Sequence, residues 1–134
     1  MREKIVDKRP WGMFEQFTEN EKSTVKLLFV KAGKRISYQF HNHRSEFWHI
    51  VSGKALVTLN GRNRIMKSGD EVRIPLRAKH RVKGITDAVI LEIATGDFDE
   101  ADVVRIQDDF GRHEANTGLN LKGGRSVMLG KSRK

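Results

Sequence analysis

Gln39, His41, Glu46 and His80 are the residues whose types and spacing can do chemistry in this chain. A first block reads Gly33, five residues, Gln39, one residue, His41, four residues, Glu46, six residues, Gly53. A second reads Gly69, five residues, Pro75, four residues, His80. Along a strand, residues i and i+2 share a face, so Ser37, Gln39 and His41 point the same way. Glu46 opens an apolar run and shares a face with Trp48 and Ile50. Two adjacent strands and a later one can therefore bring two imidazoles, a carboxylate and an amide oxygen to one point. That donor set suits one borderline divalent ion, zinc foremost, with manganese, iron, cobalt or nickel as alternatives. Glu46 on an inward face also needs such a partner, because a buried unpaired carboxylate is costly.

A second ligand set stays open. His41 and His43 form an HxH pair, which with Glu46 and His80 would also make four donors. The spacing favours Gln39: a strand can run through Gln39 and His41, leaving residues 42–45 as the turn before Glu46. His43 then sits at the pocket mouth, supporting the ligands from behind or contacting substrate. His49 belongs to the face opposite Trp48, and His113 lies too far along the chain to join the group.

The elements that must position these groups read as strands. Residues 25–30 are short and largely apolar, 35–41 alternate, and 46–51 are apolar and aromatic. Residues 55–59 end at Asn60-Gly61, a strong two-residue hairpin signal. Gly69 breaks the chain ahead of 71–75, 88–94 form the last clear strand, and 103–106 make an edge-strand candidate. Short strands at roughly ten-residue spacing indicate an all-β sandwich or barrel. No helical period survives for three turns.

The chain has 134 residues, one domain's worth, and no cysteine, which excludes thiol chemistry and cysteine metal sites. It has no apolar run long enough for a membrane helix, and its first residues lack a signal-peptide core, so a cytoplasmic protein is expected. The formal net charge is +9. One basic stretch runs from Arg62 to Lys83 around His80, which puts part of the charge near the site and is compatible with an anionic ligand. Another fills residues 115–134. The basic stretches carry no interleaved aromatic platform, which argues against nucleic acid as a partner. The expected organisation is a metal-binding barrel over residues 1–112 and a short, irregular basic C-terminal tail over 113–134.

At these residues the sequence resembles the cupin superfamily, whose two motifs surround a metal in a double-stranded β-helix, or jelly-roll barrel. Gln39 stands where the usual pattern has His. Together with His41, Glu46 and His80 it looks like the metal set of phosphomannose isomerases. Arg9-Pro10-Trp11-Gly12, residues 37–48 and residues 99–112 resemble the opening, central and closing motifs of the type II mannose-6-phosphate isomerase domain, in order. Asn42, Phe47, Arg77 and Gly84 depart from the pattern without touching the metal set. The resemblance implies a stand-alone, metal-dependent aldose-ketose isomerase acting on mannose 6-phosphate, with a small sugar phosphate as its partner. The alternatives are a cupin acting on another sugar phosphate or sugar nucleotide, or a noncatalytic metal- or sugar-binding module.

Isomerisation needs polarised oxygens, a base and fixed cations for the phosphate. Arg112, carried over from the closing motif, is the first candidate for charge stabilisation. Arg105 and Arg44 follow as substrate-binding cations, and Ser37 as a hydroxyl on the Gln39 face. Glu92, an ionisable residue inside an apolar strand, is the candidate base, the alternative being an outward Glu on an alternating strand. Open barrel edges favour a homodimer.

Overall fold

The computed structural model describes residues 3–111. Strands follow one another almost without interruption: β1 (Ile5–Arg9), β2 (Gly12–Gln16), β3 (Ser23–Val30), β4 (Tyr38–Phe40), β5 (Arg44–Ser52), β6 (Lys54–Leu59), β7 (Arg62–Lys67), β8 (Glu71–Ile74), β9 (His80–Gly84), β10 (Ala88–Gly96) and β11 (Val104–Gln107). They form the two facing sheets of the expected jelly roll, one ordered β3-β10-β5-β8 and the other β11-β4-β9-β6-β7, with β1-β2 as a separate hairpin. No helix among the described residues is long and apolar enough to cross a membrane.

Alternation decides what each sheet buries. On β5, Arg44, Glu46, Trp48 and Ile50 are buried at every second position. On β10, Ala94, Glu92 and Ile90 lie directly across from Glu46, Trp48 and Ile50. Trp48, Ile50, Met66, Val82 and Ile90 are fully buried and hold the two sheets together. Burying each such side chain contributes about 1.5–3 kcal/mol. The turns follow their chemistry. Asn60 and Gly61 take φ of 48° and 82°, the left-handed pair that a tight β6–β7 hairpin requires. Gly53 turns β5 into β6 at φ 83°, where a Cβ would run into the Asp87 carbonyl oxygen and lie 2.8 Å from the Ala88 Cα.

Several boundaries differ from the sequence reading. β5 begins at Arg44 and not at Glu46, because Arg44 still pairs with Gly96 on β10. β4 covers only Tyr38–Phe40, and Arg35 makes an isolated bridge to Lys83 instead of extending it. β1 and β2 have no clean buried alternation for a pattern to reveal. They pair locally around the Pro10-Trp11 turn, and Trp11 is left exposed at the hairpin tip. The hairpin is tied to the barrel by Lys4 to Glu71 at 2.8 Å and by the Phe17 ring stacked 5.4 Å from Phe47.

The basic stretch around His80 does not charge the pocket. On β9, His80 and Val82 point inward, whereas Arg81 and Lys83 take the opposite face beside Tyr38, Leu56 and Thr58. Period two separates residues that are adjacent in sequence. The proposed tail and His113 lie outside the described residues.

Candidate metal centre

His41, Glu46 and His80 each offer one donor atom, and these atoms lie within 4.8 Å of one another. All three side chains are buried. His41 closes the β4 segment, Glu46 comes from β5 in the opposite sheet, and His80 opens β9. The cluster therefore bridges the sheets at one end of the barrel. Glu46 Oε2 is 3.2 Å from His41 Nε2, and Glu46 Oε1 is 3.7 Å from His80 Nε2.

The backbone fixes which ring nitrogen faces the cluster. His41 Nδ1 lies 2.7 Å from the Asp102 carbonyl oxygen, and His80 Nδ1 lies 2.8 Å from that of Ala78. A carbonyl only accepts, so each Nδ1 donates, and in the neutral ring each Nε2 keeps its lone pair. His80 Nε2 is buried without a hydrogen-bond partner. Two lone pairs and a carboxylate thus face one another, an arrangement that calls for a cation between them. Histidine ligands held from behind by a carbonyl are also how protein metal sites are built. The residues present fit a divalent ion.

Electrostatics agree. Burial pushes His80 down to about 4, so it is neutral at pH 7 and ready to donate its lone pair. Burial works against the Glu46 carboxylate. The close approach of His41, the His80 ring and the Arg44 guanidinium outweigh it and hold the group well below the usual carboxylate range.

Gln39 stands directly across from His80 in the β4–β9 pairing, and Arg105 stands across from Gln39 on its other side. Arg105, Gln39 and His80 thus form one inward row. The buried Ser37 hydroxyl lies 2.7 Å from Gln39 Oε1 and holds that amide in place. His43 is not brought to the cluster: its side chain is 71 % exposed, and its backbone N–H donates to Asp102 Oδ2 at 2.9 Å. Glu92 is buried on the inner face opposite Trp48. Arg112 lies outside the described residues.

Arg44 goes deeper than its turn-like setting in the sequence suggests. Its Nε lies 3.2 Å from Glu46 Oε2, its Nη2 3.4 Å from His41 Nε2, and its Nη1 donates to the Asp99 carbonyl at 3.1 Å. Phe98 stacks 4.3 Å from its guanidinium. Two further supports carry no functional signal in the sequence. Trp48 Nε1 donates to Glu46 Oε1 at 3.0 Å. The Asp102 carboxylate accepts the backbone N–H groups of Asn42 and His43, both at 2.9 Å. Period two puts Trp48 on the Glu46 face. Nothing in an acidic run marks Asp102, because its contact depends on β11 docking beside β4.

Residues 2–108 match the family model described as mannose-6-phosphate isomerase C-terminal. The chain belongs to this family. Its fold matches an RmlC-like cupin from Shewanella frigidimarina with a TM-score of 0.55 at 16% identity, over 66% of this chain and 75% of that one. Among curated relatives, the mannose-1-phosphate guanylyltransferase ManC of Salmonella typhimurium is 37% identical over 107 residues, 78% of this chain and 22% of its own length. The xanthan biosynthesis protein XanB of Xanthomonas campestris is 36% identical, with 78% and 23% covered. This cupin domain therefore spans less than a quarter of the curated relatives it matches.

Those relatives correct the expected activity. They are named for guanylyl transfer to mannose 1-phosphate and for xanthan biosynthesis. The reading of this chain as a mannose-6-phosphate isomerase, taken from motif resemblance, is overturned by them. Shared barrel motifs report the fold and the donor set, and the reaction depends on pocket residues that those motifs do not specify.

Proposed function

We propose that this domain is a metal-loaded cupin whose pocket binds a phosphorylated sugar, either a sugar phosphate or a sugar nucleotide. The observation that carries this is the convergence of two Nε2 lone pairs and the Glu46 carboxylate, each ring anchored through Nδ1. The relatives' names supply the ligand class, since their substrate is mannose 1-phosphate.

His41, Glu46 and His80 would hold the ion, with Gln39 as fourth donor, and the nitrogen and oxygen set favours zinc over manganese, cobalt, nickel or iron. When bound, the ion would supply Lewis-acid polarisation of a ligand oxygen. Arg44 and Arg105 would take the phosphate, Arg being suited to bidentate grip. Ser37 would position Gln39 and a ligand hydroxyl, and the exposed His43 would meet the ligand at the rim. Glu92 would exchange a proton with the bound ligand from the inner face. Arg112, which lies outside the described residues, would supply charge stabilisation. The same proposal places the barrel at 1–112 and the basic tail at 113–134, in a cytoplasmic homodimer. For the dimer, the exposed row Val25, Leu27 and Phe29 on edge strand β3 offers the contact.

Calorimetry with mannose 1-phosphate, GDP-mannose and unphosphorylated mannose tests the reading, on metal-loaded protein, chelator-treated protein and His80→Ala. Phosphorylated ligands should bind only the loaded wild type. Failure to take up any divalent ion, or ligand binding indifferent to chelation and to His80→Ala, would overturn it.

A further inference from the structure

Arg44 is a permanent cation placed among the atoms a metal would need. Its Nε and Nη2 lie 3.2 Å from Glu46 Oε2 and 3.4 Å from His41 Nε2, the same two atoms that stand 3.2 Å apart facing the cluster. Its side chain is 4% exposed and is locked by the Asp99 carbonyl and the Phe98 ring. An ion on these donors sits about 2 Å from each, which puts the Arg44 guanidinium beside it as a fixed positive charge. The two cations share one carboxylate and repel each other in a site that water screens poorly.

We propose that Arg44 competes with the metal for Glu46 and His41, so that metal loading is coupled to an anionic ligand whose phosphate lies between the ion and the guanidinium. This deepens the function proposed above and rests on its metal centre. With no anion, the Arg44–Glu46 pair opposes the ion. With a phosphate present, both cations face a shared anion and the opposition becomes attraction. The ion and the phosphorylated ligand then each raise the other's affinity by one and the same factor, as linkage requires. A sugar without phosphate lacks the charge to do this.

The test is cobalt(II) titration followed by calorimetry and by the visible d–d absorption. It is run at fixed ionic strength with mannose 1-phosphate or with unphosphorylated mannose. The wild type should bind cobalt about tenfold more tightly with mannose 1-phosphate than with mannose. Arg44→Met should bind cobalt more tightly than wild type in the absence of phosphate and lose the tenfold response, while Arg44→Lys keeps it. Chelation of free cobalt by the phosphate would shift the wild-type result in the opposite direction, so it cannot imitate the effect. If Arg44→Met does not fold, Arg44→Gln, which keeps polar donors without the charge, takes its place in the comparison. Cobalt binding that is equal with both sugars, or weaker in a folded Arg44→Met, would overturn the coupling and leave the metal centre standing. No cobalt binding under any condition would overturn both.

Discussion

Acid should unfold the metal-free domain earlier than its carboxylates alone would dictate, and His80 should be the cause. Burial in the barrel lowers its pKa from an ordinary 6.5 to about 4. The unfolded chain therefore takes up a proton that the folded chain refuses, and stability falls as pH drops from the unfolded value toward the folded one. Between pH 7 and pH 5 this single group should remove about 2 kcal/mol. Glu46, Glu71 and Asp102 have folded pKa values held below their ordinary ones, so their contributions are lost only at lower pH, below the unfolded carboxylate range. The window above pH 5 thus isolates the imidazole. The assay is urea unfolding of chelator-treated protein at half-unit pH steps, with His80→Gln as control. The wild type should lose stability steadily below about pH 6.5, and the variant should be flat down to about pH 5. A flat wild-type curve, or an equal slope in His80→Gln, would refute the claim that a neutral, desolvated His80 is built into the site.

Three other perturbations probe the supports. Trp48→Phe removes the donor 3.0 Å from Glu46 Oε1 and should cost about 1–3 kcal/mol in urea unfolding while weakening metal binding. Unchanged metal affinity would show that Trp48 only packs. Gly53→Ala forces a Cβ against the Asp87 carbonyl at φ 83° and should lower stability by about 1–3 kcal/mol with metal affinity intact. A neutral thermal melt would contradict the close approach of the two turns. Asp102→Ala leaves the Asn42 and His43 N–H groups without their acceptor and loosens the segment holding His41. It should cost about 1–3 kcal/mol and reduce metal affinity, measured by calorimetry, more than Asp99→Ala does.

The all-β class, the turns at Gly53, Asn60-Gly61 and Gly69, and the grouping of Ser37, Gln39 and His41 on one face are legible in the residues alone. These are local consequences of period two and of φ values that glycine and asparagine tolerate. The donor types His41, Glu46 and His80 are legible as well, because alternation along a strand is enough to aim them to one face. The activity is not legible: barrel motifs suggest an isomerase, whereas the curated relatives are named for mannose-1-phosphate guanylyl transfer and xanthan biosynthesis.

Which atoms meet depends on strand pairing across the fold. His80 faces Gln39 because β9 pairs with β4, a choice made by two strands about forty residues apart. Docking of β11 beside β4 brings Asp102 to His41 and so fixes the imidazole tautomer. Facing sheets bury Glu92 and Arg44, whose types alone would place them in water. They also put Arg81 and Lys83 on the face opposite His80, so the basic run around His80 never reaches the pocket. Register and sheet order arise from nonlocal packing, and no local pattern records them.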